Sequence, residues 1–325
     1  MRALVTGGNR YIGLHLLHEL VARGHEVTVV NSHEADIPPE VRRIHCDRRI
    51  PGALSDALTP WRDEFDIVYD NTAYDVTDLE PMVELFANRV QHFVFTSTSA
   101  VYRRSFVQPM LESFRTHGAD DPDPRKAYGV GKVRCEQYLL GQYADRGLPV
   151  TVLRVAHTLG PMSPLASRDP IFFARLEAGR PILIPGEGFS SIHLIHVTDV
   201  ASLMASIAGN ERAAGQIYNV AGREVTSIIG AVEMMARAVG VRPDIVKVPV
   251  DIARAQRTPL VHWGEGLVGG MFFSIDKALA DLDWMPRFGV EDGYRDSYEW
   301  FVDGGRERYE FDFSADDAVL AELSR

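Results

Sequence analysis

Cysteine is scarce in this chain. Cys46 and Cys135 are the only two in 325 residues, and they form neither a disulfide framework nor a metal-ligand spacing. Both read as small buried hydrophobes, which suits a reduced, cytoplasmic setting. The sequence also lacks any uninterrupted apolar run of roughly 20 residues, the length a bilayer-spanning helix needs. The N-terminus, Met1-Arg2-Ala3-Leu4-Val5-Thr6, runs straight into an apolar strand and carries no secretory pattern. Positive charge is in deficit. Lys and Arg number 34 against 45 Asp and Glu, a formal net charge of -11, which disfavours a general hold on nucleic acid. None of the 11 histidines falls into a metal-ligand spacing, so no metal is expected. Repeats and low-complexity tracts are missing as well.

What is present is a globular composition, 46% apolar and 24% charged, with alternating strand and helix patterns. Ala3-Leu4-Val5 ends in Thr6-Gly7-Gly8. Ile12, Leu16, Leu17, Leu20 and Val21 then recur at helical spacing, and Val27-Val30 reads as a second strand. This is a βαβ unit. Strands follow at Phe65–Tyr69, His92–Thr96 and Val150–Arg154, with helices expected around Pro81–Ala87 and Tyr128–Arg146. The pattern predicts an α/β fold, a Rossmann-type doubly wound parallel sheet. After Gly160 five prolines, from Pro161 to Pro185, break the rhythm. The expected division is a dinucleotide-binding domain over 1–160 and a smaller C-terminal α/β substrate-binding lobe over 161–325. Strands near 194–222, at Ile195–Val197 and Ile217–Val220, return to the first domain. From Glu307 the chain is acidic and reads as a helix or a loose tail.

Between the first strand and helix lies Gly7-Gly8-Asn9-Arg10-Tyr11-Ile12-Gly13. Glycine here permits a tight turn and a close approach to a pyrophosphate, and the helix N-terminus offers free N–H groups to that anion. An acidic residue at the end of the second strand would hold the ribose 2′-hydroxyl of NAD. Asn31 stands there instead, followed by Ser32. A neutral residue does not repel a 2′-phosphate, and Arg10 can pair with one. The cofactor is therefore NAD or NADP, with a tilt towards NADP.

Tyr128-Gly129-Val130-Gly131-Lys132 opens the helix expected over Tyr128–Arg146, and its spacing of four places Tyr128 and Lys132 on one face. A free tyrosine has a pKa near 10; a nearby ammonium lowers it, so Tyr128 can exchange a proton with a substrate hydroxyl while hydride moves. Thr96-Ser97-Thr98-Ser99 ends the preceding strand at the edge where ligands bind.

The glycine turn, the hydroxyl cluster and the Tyr-x-x-x-Lys pair, in this order, resemble the extended short-chain dehydrogenase/reductase family and within it the NAD(P)-dependent epimerase/dehydratase branch. Leu153-Arg154-Val155 leading to Gly160-Pro161, His196-Val197-Thr198-Asp199 and Tyr218-Asn219-Val220-Ala221-Gly222 extend the resemblance to about Phe301. It implies that Tyr128 is the general acid/base, Lys132 its helper and Thr98 the catalytic hydroxyl. It places Asp47, with Arg48 beside it, against adenine and Asn71-Thr72-Ala73 along the cofactor. The expected substrate residues are Ser99, His157 and His193; His196 and Trp284 read as structural. Sugar dehydratases carry an Asp-Glu pair where this chain has Ser99 and Ala100, which argues against water elimination. Ile192 stands where nucleotide-sugar enzymes often place an arginine, which weakens the case for such a substrate.

The expected activity is epimerase or oxidoreductase chemistry on a secondary alcohol or ketone of a sugar-like, small-molecule substrate. A net NADPH-dependent ketoreductase acting on a non-sugar metabolite is the alternative. The Arg-aromatic-Ile-Gly turn also resembles a subgroup that includes chloroplast stem-loop RNA-binding proteins, so RNA binding on the same fold stands as a further alternative. The family resemblance alone implies a homodimer.

Overall fold

The structure is a computed structural model that describes residues 1–34, 36–255 and 270–323. The part of the expected substrate lobe at 256–269 lies outside the described residues.

The chain begins β1 (Arg2–Thr6), α1 (Tyr11–Ala22), β2 (Glu26–Asn31), β3 (Arg42–His45), α2 (Ala53–Leu58), β4 (Ile67–Asp70), α3 (Val76–Phe86), β5 (His92–Thr98), α4 (Ala127–Arg146) and β6 (Val150–Val155). It continues β7 (His157–Leu159), α5 (Asp169–Glu177), β8 (Ile182–Pro185), β9 (Ser191–His196), α6 (Val197–Ser206), β10 (Gln216–Val220), β11 (Val225–Ser227) and α7 (Ile228–Val239). It ends with β12 (Ile245–Val248), α8 (Val250–Ala255), α9 (Asp276–Asp281), α10 (Val290–Val302) and α11 (Ser314–Leu323).

Seven strands form one parallel sheet in the order β10-β6-β5-β4-β1-β2-β3. Side chains alternate between its two faces, as the period of two requires. Ala3, Val5, Ile67, Tyr69 and Val94 pack with Leu16, Leu17 and Leu20 of α1 and Val200 and Met204 of α6. Leu4, Val68, Phe93 and Phe95 pack on the other face, with Met82 and Phe86 of α3 and Cys135 and Leu139 of α4. Burial on both faces explains why these strands read as nearly continuous apolar runs. The order of strands reverses between β1 and β4, so the ends of these two strands flank the crevice where open α/β sheets bind ligands.

Three expectations need correction. The helix expected at Pro81 begins at Val76, because Asp75 and Asp78 form a capping box that sets the start earlier. The strand ending in His196 does not return to the large sheet. It pairs with β7 and β11 in a three-stranded sheet, and Val197 already opens α6, which packs on α1. The return of the chain to the first core is also wider than 194–222, since Phe273, Ile275, Ala278, Leu282 and Trp284 join it. β10 does join the large sheet, next to β6.

The second core gathers Phe172 and Phe173 of α5, Met235 of α7, Tyr294 and Phe301 of α10 and Val319 of α11. The acidic end is thus a docked helix: Asp316 of α11 is fully buried and pairs with buried Arg175 of α5. Both cysteines are buried and free. Among the described residues no helix is long and apolar enough to cross a membrane.

Candidate active site

The turn after β1 is built by conformational necessity. Gly7 has φ +73, and a Cβ there would come within 2.1 Å of the Thr72 methyl. The turn is therefore locked against the Asn71-Thr72-Ala73 loop that follows β4. Asn9 is partly exposed, and Ile12 leans on the core. Arg10 is the extended N-cap of α1, exposed, and makes no side-chain cap. The first turn of α1 carries no acidic residue, which leaves its N–H groups and positive dipole end uncompensated.

Asn31, at the end of β2, is 6% exposed, and neither its amide nitrogen nor its amide oxygen has a partner. Asn71 accepts from the Thr96 hydroxyl, but its own amide nitrogen is also unpartnered. Buried polar atoms left in this state each cost about 1–3 kcal/mol. Their position at the switch point, beside a helix N-terminus, fits a dinucleotide: ribose at Asn31 and diphosphate at the turn. Ser32 is partly exposed and contacts the His33 ring nitrogen at 2.7 Å.

Asp47 is held by the Arg49 backbone and guanidinium, which bring its carboxyl down to about 2. Arg48 cannot serve the cofactor as expected. Its guanidinium forms a fork on Asp70 at 3.1 Å and also donates to Thr72 and to the Asp78 carbonyl. Asp70 is fully buried and additionally accepts from the Thr72 and Ala73 backbone. Arg48 is the half-buried strut under the 71–73 loop.

Tyr128 and Lys132 project from the start of α4. Gly131 allows this helix to approach: a Cβ there would lie 2.4 Å from the Tyr74 carbonyl. Tyr128 is 50% exposed, with the Tyr74 ring 6.0 Å away. Lys132 is 3% exposed and donates to the carbonyls of Ala73 at 2.8 Å and Thr96 at 2.7 Å. Burial pulls the Lys132 ammonium down to about 8. The expected lowering of the Tyr128 pKa is not what the protein alone provides. Burial raises it, Thr98 opposes the rise by hydrogen bonding, and Arg168 is the cation that acts on it. Lys132 has turned to the strand ends instead.

Thr98 ends β5, partly exposed, and accepts from the Ala100 N–H at 3.2 Å. Ser99 follows at the same edge, also partly exposed. Ser97 faces away, donating to Glu136, which is paired with Arg154 deep under the site at 2.7 Å.

The two histidines expected to meet substrate differ. His157, at the start of β7, is exposed although protein packs around it, and both desolvation and Arg168 lower its pKa. His193 does not line the cleft. It is buried, accepts from the Phe273 N–H at 3.0 Å through Nδ1, and contacts the Gly222 carbonyl at 2.8 Å through Nε2. Both nitrogens are committed, so His193 is structural. His196 caps α6 and stacks on Phe288 at 3.8 Å, and Trp284 donates to the Asp199 carbonyl. Ile192 packs against the second core.

Sequence reasoning missed the residues at the seam between the two cores. Tyr11 adopts φ 42, an uncommon backbone for a residue with a Cβ. Its ring is buried, and its hydroxyl has no partner at hydrogen-bonding distance. Arg168 lies close enough to lower the Tyr11 pKa, against a larger rise from burial and from Asp169. Asp169 is 2% exposed with one unpartnered oxygen, and burial pushes its carboxyl up to about 6. The Tyr294 hydroxyl is buried and unpartnered beside them. Among the described residues no group of His, Cys, Asp and Glu could hold a metal ion.

Comparison with known proteins agrees with this geometry. The NAD dependent epimerase/dehydratase family matches residues 3–74 and 52–221. Chloroplast stem-loop binding protein of 41 kDa b from Arabidopsis thaliana is 29% identical, over 98% of this chain and 84% of that protein. UDP-N-acetyl-alpha-D-glucosaminuronate decarboxylase from Bacillus cytotoxicus is 26% identical, over 92% of this chain and 97% of that protein. The crystal structure of UDP-glucuronic acid 4-epimerase from Bacillus cereus in complex with NAD superposes with a TM-score of 0.76 at 18% identity, over 93% of this chain and 99% of that one. The chain belongs to the NAD dependent epimerase/dehydratase family and is an NAD(P)-dependent enzyme of the short-chain dehydrogenase/reductase type.

Proposed function

We propose that this enzyme interconverts a secondary alcohol and a ketone on a sugar-like substrate, as an epimerase does. One observation carries the reading: half-exposed Tyr128 lies beside Thr98, one turn from buried Lys132, at the sheet edge that holds the glycine turn and Asn31. The nicotinamide, when bound, supplies the acceptor and donor of hydride. Asn31 would hold the ribose of the adenosine half, and the N–H groups at the start of α1 the diphosphate. Tyr128 takes or returns the hydroxyl proton at its phenolic oxygen, and Thr98 orients the substrate oxygen. Lys132 uses two of its three N–H donors on carbonyls, which leaves one for the nicotinamide ribose. Because burial raises the Tyr128 pKa, its proton transfer near neutral pH depends on positive charge that arrives with the cofactor.

The neutral Asn31 and the exposed Arg10 favour NADP over NAD. Ser99 and Ala100 offer no acid–base pair for water elimination, which argues against a dehydratase and favours epimerisation or net ketone reduction. A second reading is RNA binding, favoured by the 29% identity to a stem-loop binding protein across 98% of this chain; the net charge of -11 speaks against it.

Mass spectrometry of the small molecules released on denaturation tests the reading. Stoichiometric NAD(H) supports an epimerase that retains its cofactor, and NADP(H) supports the reductase form. A protein that binds neither nucleotide on titration, yet shifts a stem-loop RNA, would overturn the enzymatic reading in favour of the second.

A further inference from the structure

The segment between α10 and α11 is bound down along its whole length. A helical turn at Gly305–Arg308 reverses the chain, and half-buried Tyr309, Phe311 and Phe313 then alternate with exposed Glu310 and Asp312, as one face of an extended segment does. Their rings form a ladder, Tyr309 to Phe311 at 5.9 Å and Phe311 to Phe313 at 6.4 Å. Trp300 and Phe301 of α10 flank it, 6.3 Å from Tyr309 and 6.0 Å from Phe311. The ladder ends between two guanidiniums, those of Arg175 and Arg180, 5.2 and 5.1 Å from the Phe313 ring. α11 then closes on α5 through the fully buried Arg175–Asp316 pair. Residues 309–323 are thus a strap across the second core.

One group of the strap reaches out of that core. The Tyr309 hydroxyl donates to the Ser163 carbonyl at 2.6 Å, in the 160–168 loop between β7 and α5. Burial pushes this hydroxyl up to about 12, so it remains a donor at neutral pH. The neighbouring residue is a backbone outlier. Met162 has φ 62, a left-handed conformation that a residue with a Cβ keeps only where its surroundings over-determine it. The fixings come from opposite sides: the Met162 side chain packs on the first core, and the strap of the second holds the Ser163 carbonyl.

This loop springs from the ligand edge of the large sheet. Val155, the last residue of β6, is the register partner of Thr98. His157 opens β7 directly afterwards, and the far end of the loop returns there, with Arg168 donating through Nη1 to the Thr158 carbonyl at 3.3 Å. The loop therefore leaves and rejoins the chain beside the strand end that carries Thr98.

We propose that Tyr309 is a positioning residue: through Ser163 the C-terminal strap holds the 160–168 loop as a wall of the cleft beside Thr98, and this wall slows the escape of the bound nicotinamide nucleotide. The inference rests on the placement of the nicotinamide at Tyr128 and Thr98 proposed above. Tyr309 acts through the loop, with its hydroxyl committed to the Ser163 carbonyl.

Y309F removes that hydroxyl and keeps the ring in its ladder. Two measurements on the full chain test it: hydrogen–deuterium exchange, and stopped-flow release of NADH or NADPH, whichever the wild-type protein binds more tightly. Amides between Met162 and Arg168 are expected to exchange about tenfold faster in Y309F, the scale of one lost hydrogen bond, while those of β1 and α11 keep their rates. Nucleotide release is expected to quicken by about threefold or more, with association within about twofold. F311A, which loosens the ladder and leaves the hydroxyl in place, is expected to speed exchange in both α11 and the loop. Unchanged loop exchange in either variant overturns the proposal. Faster loop exchange with unaltered nucleotide release overturns it as well, since the loop is then no wall of the cleft. Faster exchange in Y309F spread through α11 and the second core assigns Tyr309 to folding stability alone and overturns it too. A wild-type protein that binds neither nucleotide sinks the parent reading, a result distinct from these.

Discussion

The floor of the cleft and its walls treat buried polar groups in opposite ways. Under the floor each charged group has an ionic or carbonyl partner, although the Arg48 Nε is left without one. Arg48 forks onto Asp70, Arg154 onto Glu136, and Lys132 donates to two carbonyls. On the walls Asn31, Tyr11, Asp169 and Tyr294 are just as buried, yet each has at least one polar atom without a partner. A satisfied network fixes positions, whereas an unsatisfied one carries a standing cost that a ligand or a water relieves. The contrast assigns support to the floor and recognition to the walls.

The comparison breaks most visibly at Tyr128, where floor and wall meet. Y128F removes the proton carrier and little else, so kcat on whichever substrate the wild-type protein turns over should fall by about 10²–10⁴. NADH binding and melting temperature should stay close to the wild-type values. Full turnover in Y128F would remove this tyrosine from the chemistry. The floor is tested by R48A, which strands the fully buried Asp70. Leaving one partner of a buried pair uncompensated costs about 3–5 kcal/mol. Arg48 holds the Asp70 carboxyl below its ordinary range, so this contribution is present above the unfolded aspartate pKa and disappears as pH falls through the folded one. Urea titrations at neutral and acid pH should therefore show a large deficit in R48A that shrinks with acid. A deficit that ignores pH would mean the pair is not what stabilises the loop.

How much of this was legible beforehand follows the range of the interactions. The glycine turn and the Tyr128–Lys132 spacing are local patterns within one βαβ unit and one helix, and both could be read from periodicity. Asn31 was legible because it is the last residue of a strand. Arg48 and His193 were misread because their partners lie far along the chain: Asp70 is 22 residues from Arg48, and Phe273 is 80 from His193. No local pattern marks Arg168. It follows a proline-broken loop without periodicity and caps α5, which packs against α7 and α10. The direction of the Tyr11 ring depends on a positive φ that composition does not announce.

The wall is sharpened by Asp169. Burial holds its carboxyl up at about 6, above the ~3.9 of an unfolded aspartate. The folded state then binds the proton more tightly, so stability falls as pH rises from about 4 to about 6 and stays lower beyond. D169N keeps the acceptor oxygen and never ionises. Its melting temperature should match the wild type near pH 4 and exceed it near pH 8 by on the order of 5 °C. Equal melting curves at both values would show that Asp169 is neutralised by a partner after all.

The smallest expected effect is the most informative about the cofactor. Asn31 is neutral and unpartnered at the end of β2, and Arg10 is exposed at the start of α1. N31D places a carboxylate where it can accept from a ribose 2′-hydroxyl and repel a 2′-phosphate. The NADH to NADPH affinity ratio should move towards NADH by about tenfold, the scale of one charge-assisted hydrogen bond gained or lost. R10A should move the ratio in the same direction by less, since an exposed guanidinium is screened by salt. The two shifts should fall short of adding if both residues act on the same phosphate, and add if they act independently. A ratio unmoved by N31D would place the adenosine ribose elsewhere, and Asn31 would then be a wall residue whose ligand is not the dinucleotide.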